Sequence, residues 1–217
     1  PKFLPPVEKP ALFDRHIGLF AMQTKTETTV HVDGYFTKAL TMARLQTEVN
    51  NKQAGTDWLL KARYGENSQA MAILNESDEF QASCVPFAWW KKVAPAKDLA
   101  NARLELVDIL HFMLSQCVVH FSAWEPGTTV SNNFENALTN TALALVNGYI
   151  DAHFKPLDHH QQQYWVANPS PSEDVAARAS YLAFVHGVSA PNQAPPWPAF
   201  FMLCRHINFS FEHMYML

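Results

Sequence analysis

The sequence predicts an all-α fold, and three observations carry that expectation. Strand-like alternation of apolar and polar residues is scarce. Apolar residues instead recur three and four apart in long stretches bounded by Pro and Gly. One stretch, Leu104-Glu105-Leu106-Val107-Asp108-Ile109-Leu110-His111-Phe112-Met113-Leu114, is apolar almost all round, which is the pattern of a buried helix. No internal repeat is present.

The elements follow in chain order. Residues 1–34 read as an arm, Pro-rich at first and Thr-rich over 24–29, with one short helix expected over 10–20. A helix is expected over 35–51, where Phe36, Leu40, Ala43 and Leu45 are apolar. Gly55 ends it, and Thr56-Asp57-Trp58 begins a connector. The next helix spans about 67–83 on a stripe of Ala70, Ile73, Leu74, Ser77 and Phe80, and Pro86 stops it. A loop with Phe87-Ala88-Trp89-Trp90-Lys91-Lys92 leads into the longest helix, about 98–123, which Glu125-Pro126-Gly127 breaks. A helix near 132–151, a His/Gln-rich connector over 158–163 that carries His159-His160, and a helix near 171–186 come next. Pro191, Pro195, Pro196 and Pro198 mark a linker, and a final helix runs from about Trp197 to the end. The division is an arm (1–34), a helical core (35–124), a variable helical region (125–196) and a last core helix (197–217).

A chain of 217 residues suffices for one domain, or a core with an appendage. With 48% hydrophobic and 17% charged residues it has a globular balance. The net charge of −4 offers no general attraction for nucleic acid, so a polyanionic substrate would need a local cation. Cys84, Cys117 and Cys204 are odd in number and widely spaced, which points to buried thiols in a reducing, intracellular compartment. No uninterrupted apolar run of about 18 residues occurs, so no membrane partner is expected. The Pro-rich start does not read as a signal peptide, and its lack of Met points to a processed or partly represented chain.

The residues that bear chemistry are two acidic pairs. Glu76 and Glu79 are three apart on one predicted helix, and Glu105 and Asp108 are three apart on the next. Residues at that spacing share a helix face. Glu at helical spacing usually marks a solvated surface, but the second pair lies inside an apolar helix. Acids facing a bundle interior must be paired, protonated or bound to metal. An antiparallel hairpin would bring all four together, and such a set suits Mg²⁺ or Mn²⁺. Asp108-x-x-His111 also resembles half of a di-iron site, but the first helix supplies no matching His. Gln46 and Asn50 are four apart and share a face. Their amides can match the edge of a nucleobase.

Several blocks resemble the dimeric, all-α dUTPases, which are related to MazG-type nucleotide pyrophosphatases. These are Leu45-Gln46-Thr47-Glu48-Val49-Asn50 with Trp58 downstream, Glu76-Ser77-Asp78-Glu79, Pro86-Phe87-Ala88-Trp89-Trp90-Lys91, and 98–115 with Glu105 and Asp108. The resemblance spans roughly 40–120, with a looser match in the last helix. It implies an all-α bundle of the nucleoside-triphosphate pyrophosphatase type with a smaller appendage, hydrolysing dUTP, with dUDP a further substrate, to dUMP. It implies Mg²⁺ held by Glu76, Glu79, Glu105 and Asp108, with Glu76 or Glu79 polarising the attacking water. It implies a nucleoside pocket made by Gln46, Asn50, Trp89 or Trp90, His111 and Phe112, and a homodimer. The family's basic, phosphate-contacting segment would begin near Leu217; either it lies beyond that residue, or local cations make the phosphate contacts, with Lys91 and Arg103 as candidates beside Lys92 and Lys97. Ala82 stands where the family usually has Asp. The alternatives are a dCTP or mixed dCTP/dUTP pyrophosphatase, a non-catalytic helical interaction module, and a di-iron carboxylate protein.

Overall fold

The computed structural model describes residues 27–63, 69–84, 97–122, 130–154, 173–189 and 194–216. Among them the apolar spacings are realised as eight helices and no strand. These are α1 (Glu27–Ala54), α2 (Trp58–Arg63), α3 (Gln69–Cys84), α4 (Leu99–Phe121), α5 (Val130–Phe154), α6 (Glu173–Val188), α7 (Trp197–His206) and α8 (Phe211–Met216). The helix expected over 10–20, the Trp-Trp-Lys loop and the His/Gln-rich connector lie outside the described residues.

Three boundaries differ from expectation. First, α1 starts at Glu27, inside the stretch read as an arm. The Thr and Val residues there lower helix propensity only slightly, and no Pro interrupts the ladder. Second, the connector after Gly55 coils into α2. Gly55 takes φ +88°, a left-handed conformation that ends α1. The Lys61 N–H then bonds the Asp57 carbonyl at 3.1 Å, and the Lys61 ammonium meets the Asp57 carboxylate at 3.0 Å. Third, the last helix is two. The Phe209 N–H bonds the Cys204 carbonyl at 2.9 Å and the Asn208 N–H bonds the Arg205 carbonyl at 3.2 Å, with Asn208 at φ +52°. That pattern is a Schellman stop. Ser210 then caps α8, its hydroxyl accepting from the His213 N–H at 3.3 Å.

Helix α4 is the centre. Leu106, Ile109, Leu110, Met113 and Leu114 are buried on it. It is long and apolar enough to cross a membrane, but half of that stretch is buried inside the protein, as in a central core helix. Helix α3 packs along one side of α4, while α1 and α5 pack on others. Helix α5 touches α1, α4 and α7, and α6 touches α3 and α7. Buried Ala142, Leu145 and Val146 give α5 its own apolar face, so it cannot stand apart from the core.

The α5–α7 contact depends on a missing side chain. A Cβ on Gly148 would lie 2.2 Å from the Cβ of Trp197, itself buried. The helices must separate to admit it. Gly148→Ala should therefore lower stability by roughly 1–3 kcal/mol, or about 2–4 °C of melting temperature per kcal/mol in a chain of this size. A thermal melt checks this, and an unchanged or raised midpoint would contradict the contact.

Candidate active site

The site is set by the register of α3 against α4. The Asp98 N–H bonds the Ser83 carbonyl at 2.8 Å, and the Asn101 amide bonds the Ser83 hydroxyl at 2.8 Å. Ser83 therefore lies opposite Asn101. Stepping a turn at a time in opposite directions brings Glu79 level with Glu105, Glu76 with Asp108, and Ala72 with Phe112. One oxygen each from Glu76, Glu105 and Asp108 lies within 4.8 Å of the other two. Glu105 is buried at 7% exposure, Glu76 is half-buried, and Asp108 is exposed.

Three of the four expected acids thus converge. Glu79 is exposed and is not one of the three that converge, although its charge acts on both Glu76 and Glu105. It stands at the rim because the helix surface turns toward solvent there. Asp78, between the two glutamates in sequence, points elsewhere and accepts a hydrogen bond from the Tyr181 hydroxyl at 3.1 Å.

The electrostatics follow from the crowding. Burial raises the pKa of Glu76, and the charges of Asp108, Glu79 and Glu105 raise it further. Burial also raises that of Glu105, followed by the Glu79 charge, while a hydrogen bond from the Asn101 amide at 2.9 Å opposes the shift. An all-carboxylate donor set whose members repel one another fits a hard divalent cation such as Mg²⁺ or Mn²⁺. His111 sits beside the group rather than in it, its Nδ1 3.9 Å from Asp108. The protein packed around the His111 ring lowers its pKa, with Asp108 opposing, which favours the neutral imidazole. The cluster is thus all-carboxylate, unlike the Glu-x-x-His pairs of a di-iron site.

Next to the acids is a cleft of about 270 Å³. Phe112, one turn beyond Asp108, and Ala72, one turn before Glu76, both line it. Asn50, Gln53, Trp58 and Gln69 complete most of its wall. A chain of hydrogen bonds holds the amides. Gln46 Nε2 donates to Asn50 Oδ1 at 2.9 Å, Asn50 Nδ2 to Ser115 Oγ at 2.8 Å, and Ser115 Oγ to the His111 carbonyl at 2.9 Å. Gln46 and Asn50 thus share a face, as their spacing predicts, and that face meets α4 one turn past His111.

Some expected residues are not brought to the site. Arg103 is two positions, or about 200°, around α4 from Glu105. Its guanidinium donates to the Ile207 carbonyl at 3.3 Å, where it helps cap the end of α7. Arg103 thereby ties α4 to α7. Lys97 lies exposed at the start of α4, its charge acting on the Cys84 thiol. Trp89, Trp90, Lys91 and Lys92 fall outside the described residues. Sequence reasoning also missed participants. Trp58, named only as part of the family resemblance and of a connector, is buried in the cleft wall. Gln53 was three positions from Asn50, a spacing that was available as a signal. Asn101 was four positions before Glu105, the spacing of a helical side-chain pair.

Fold and site together define an all-helical protein with converging carboxylates beside a cleft of amide and aromatic groups. A family model described as dUTPase matches residues 38–215. The chain belongs to this all-α dUTPase family, whose members hydrolyse dUTP. No curated protein and no solved structure matches the chain.

The carboxylate strain is measurable without metal. For Glu105 the folded pKa lies above the unfolded one, so the fold binds more proton in that window and loses stability as pH rises through it. Replacing Glu105 with Gln removes the penalty while keeping an acceptor for Asn101. In chelator-treated protein, Glu105→Gln should melt higher than wild type at neutral pH, and the gap should close as pH falls below the carboxylate range. A gap independent of pH would show that Glu105 carries no such strain.

Proposed function

We propose that this chain is a Mg²⁺-dependent dUTP pyrophosphatase that releases dUMP and pyrophosphate, with dUDP as a second substrate. The observation that carries the reading is the trio of carboxylate oxygens within 4.8 Å of one another, one helical turn from the Asn50–Phe112 cleft. Glu76, Glu105 and Asp108 would hold the cation, with Glu79 at the exposed rim. When bound, it supplies charge neutralisation for a triphosphate and lowers the pKa of a coordinated water.

The remaining work belongs to side chains of this protein. Glu79 or Glu76 accepts the proton of the attacking water, being the first-helix carboxylates beside the cluster. Phe112 and Trp58 give the base apolar surface. The hydrogen-bond chain from Gln46 through Asn50 to Ser115 fixes amide orientation before a ligand arrives. Preset amides discriminate because a wrong base leaves them unpaired. A uracil ring offers one N–H donor between two carbonyl acceptors, and amide groups present both matching partners. The reading includes a homodimer, supported by the resemblance and by exposed apolar side chains such as Leu45, Leu60 and Met71.

Pyrophosphate release from dUTP, dCTP, dTTP and dATP, with and without Mg²⁺, tests the reading. Turnover of dUTP should exceed that of dTTP and dATP and should vanish with chelator. Glu76→Gln and Asp108→Asn should each lower kcat by at least about 100-fold, the scale expected when charge stabilisation is lost at a reacting phosphate. A faster rate on dCTP would move the substrate to the cytosine nucleotide. Near-wild-type turnover by either variant would remove that residue from the ligand set.

A further inference from the structure

The carboxylates have a built-in clamp. Ser83 has one hydroxyl hydrogen, and it points to the Glu79 carbonyl at 3.0 Å. Toward Asn101, Ser83 can then only accept. That dictates the Asn101 amide, whose NH₂ group faces both Ser83 Oγ at 2.8 Å and Glu105 Oε1 at 2.9 Å. Asn101 is also held from behind, since its backbone N–H bonds the Asp98 carboxylate at 3.0 Å. Asp98 in turn donates its N–H to the Ser83 carbonyl at 2.8 Å. One residue thus joins α3, the N-cap of α4 and the most buried acid of the trio, its side chain reaching Ser83 and Glu105 and its backbone N–H reaching Asp98.

We infer that Asn101 is a positioning residue: its amide fixes the rotation of the Glu105 carboxylate and ties it to α3, so that Glu105 faces Glu76 and Asp108 in a preset geometry. The inference rests on the reading of this cluster as a divalent-cation site. A carboxylate alone rotates freely about its last bond. One engaged by a fixed donor at one oxygen presents the other in a single direction. Such outer partners of metal ligands typically change affinity by about 10–100-fold. Asn101 itself is exposed, so truncating it leaves the apolar core intact.

Mn²⁺ binding followed by electron paramagnetic resonance, with Mg²⁺ calorimetry, tests this on the full chain. Asn101→Ala should weaken Mn²⁺ binding by about 10–100-fold, while the chelator-treated melting temperature moves little. In a Glu105→Gln background the same truncation should cost less than about threefold, because its route of action is gone. Ser83→Ala should weaken binding less than Asn101→Ala, since the Asn101–Glu105 bond survives. Should Asn101→Ala not fold, Ser83→Ala carries the test, with at least about a twofold loss expected and no loss overturning the inference. Asn101→Ala binding within twofold of wild type would also overturn it, as would an equal loss with and without Glu105. Failure of the wild-type protein to bind Mn²⁺ would overturn the cation reading itself, and this inference with it.

Discussion

Everything at this site depends on the antiparallel seam between α3 and α4. Two helices in fixed register force like charges together that would otherwise separate. The seam is held from both ends of its chemistry. Apolar side chains such as Ile73, Phe80, Leu106 and Ile109 are fully buried. At the solvent edge, Ser83, Asp98 and Asn101 form direct bonds between the helices. Apolar burial supplies the driving force, and the polar edge supplies the register. Without that register, a slip of one residue would rotate the acids by about 100° and scatter the trio.

The same periodicity couples the acids to the cleft. Positions 108, 112 and 115 lie along one side of α4, and 72 and 76 along one side of α3. Under the proposed reading, a ligand spanning a ring and a phosphate chain would meet Phe112 and Asp108 as successive rungs. The Asn50–Ser115–His111 bonds then join α1 to the same side of α4. Three helices present their polar groups to one place because each buries its remaining surface elsewhere. The hydrogen-bond polarity from Gln46 to the His111 carbonyl is fixed, so binding at these amides would require little reorganisation.

How much of this could be read from the sequence divides by physical type. The helices were legible, because apolar spacing and Gly or Pro punctuation are local signals. That acids of the two helices would be neighbours was legible as well, since acids inside an apolar helix demand a reason to be there. The difference between Glu79 and its companions was not, because it depends on how the helix surface turns to solvent. The turn of Arg103 away from Glu105 was not legible either, since nearness in sequence conceals a 200° rotation on the helix. Its partner, the Ile207 carbonyl, is about a hundred residues away. The break after His206 was hidden for another reason. Asn is tolerated in left-handed backbone, but it announces that less loudly than Gly. The early start of α1 was missed because weak propensity was read as absence of structure.

The gradient of exposure across the acids gives the site a direction. Glu105 lies at the floor, Glu76 between, and Asp108 and Glu79 toward solvent. Burial raises the pKa of the carboxylate at the floor, and a dedicated amide donor opposes that shift. This arrangement suits a cation that arrives hydrated and sheds only part of its shell, as Mg²⁺ does. The floor would grip it, while the open side keeps positions for water and phosphate oxygens. A fully buried quartet would bind the ion on every side and leave no room for a substrate. A fully exposed one would lack the low-dielectric surroundings that make fixed charges effective. The half-open seam satisfies both demands, and it follows from placing acids along the margin of a core helix rather than at its centre.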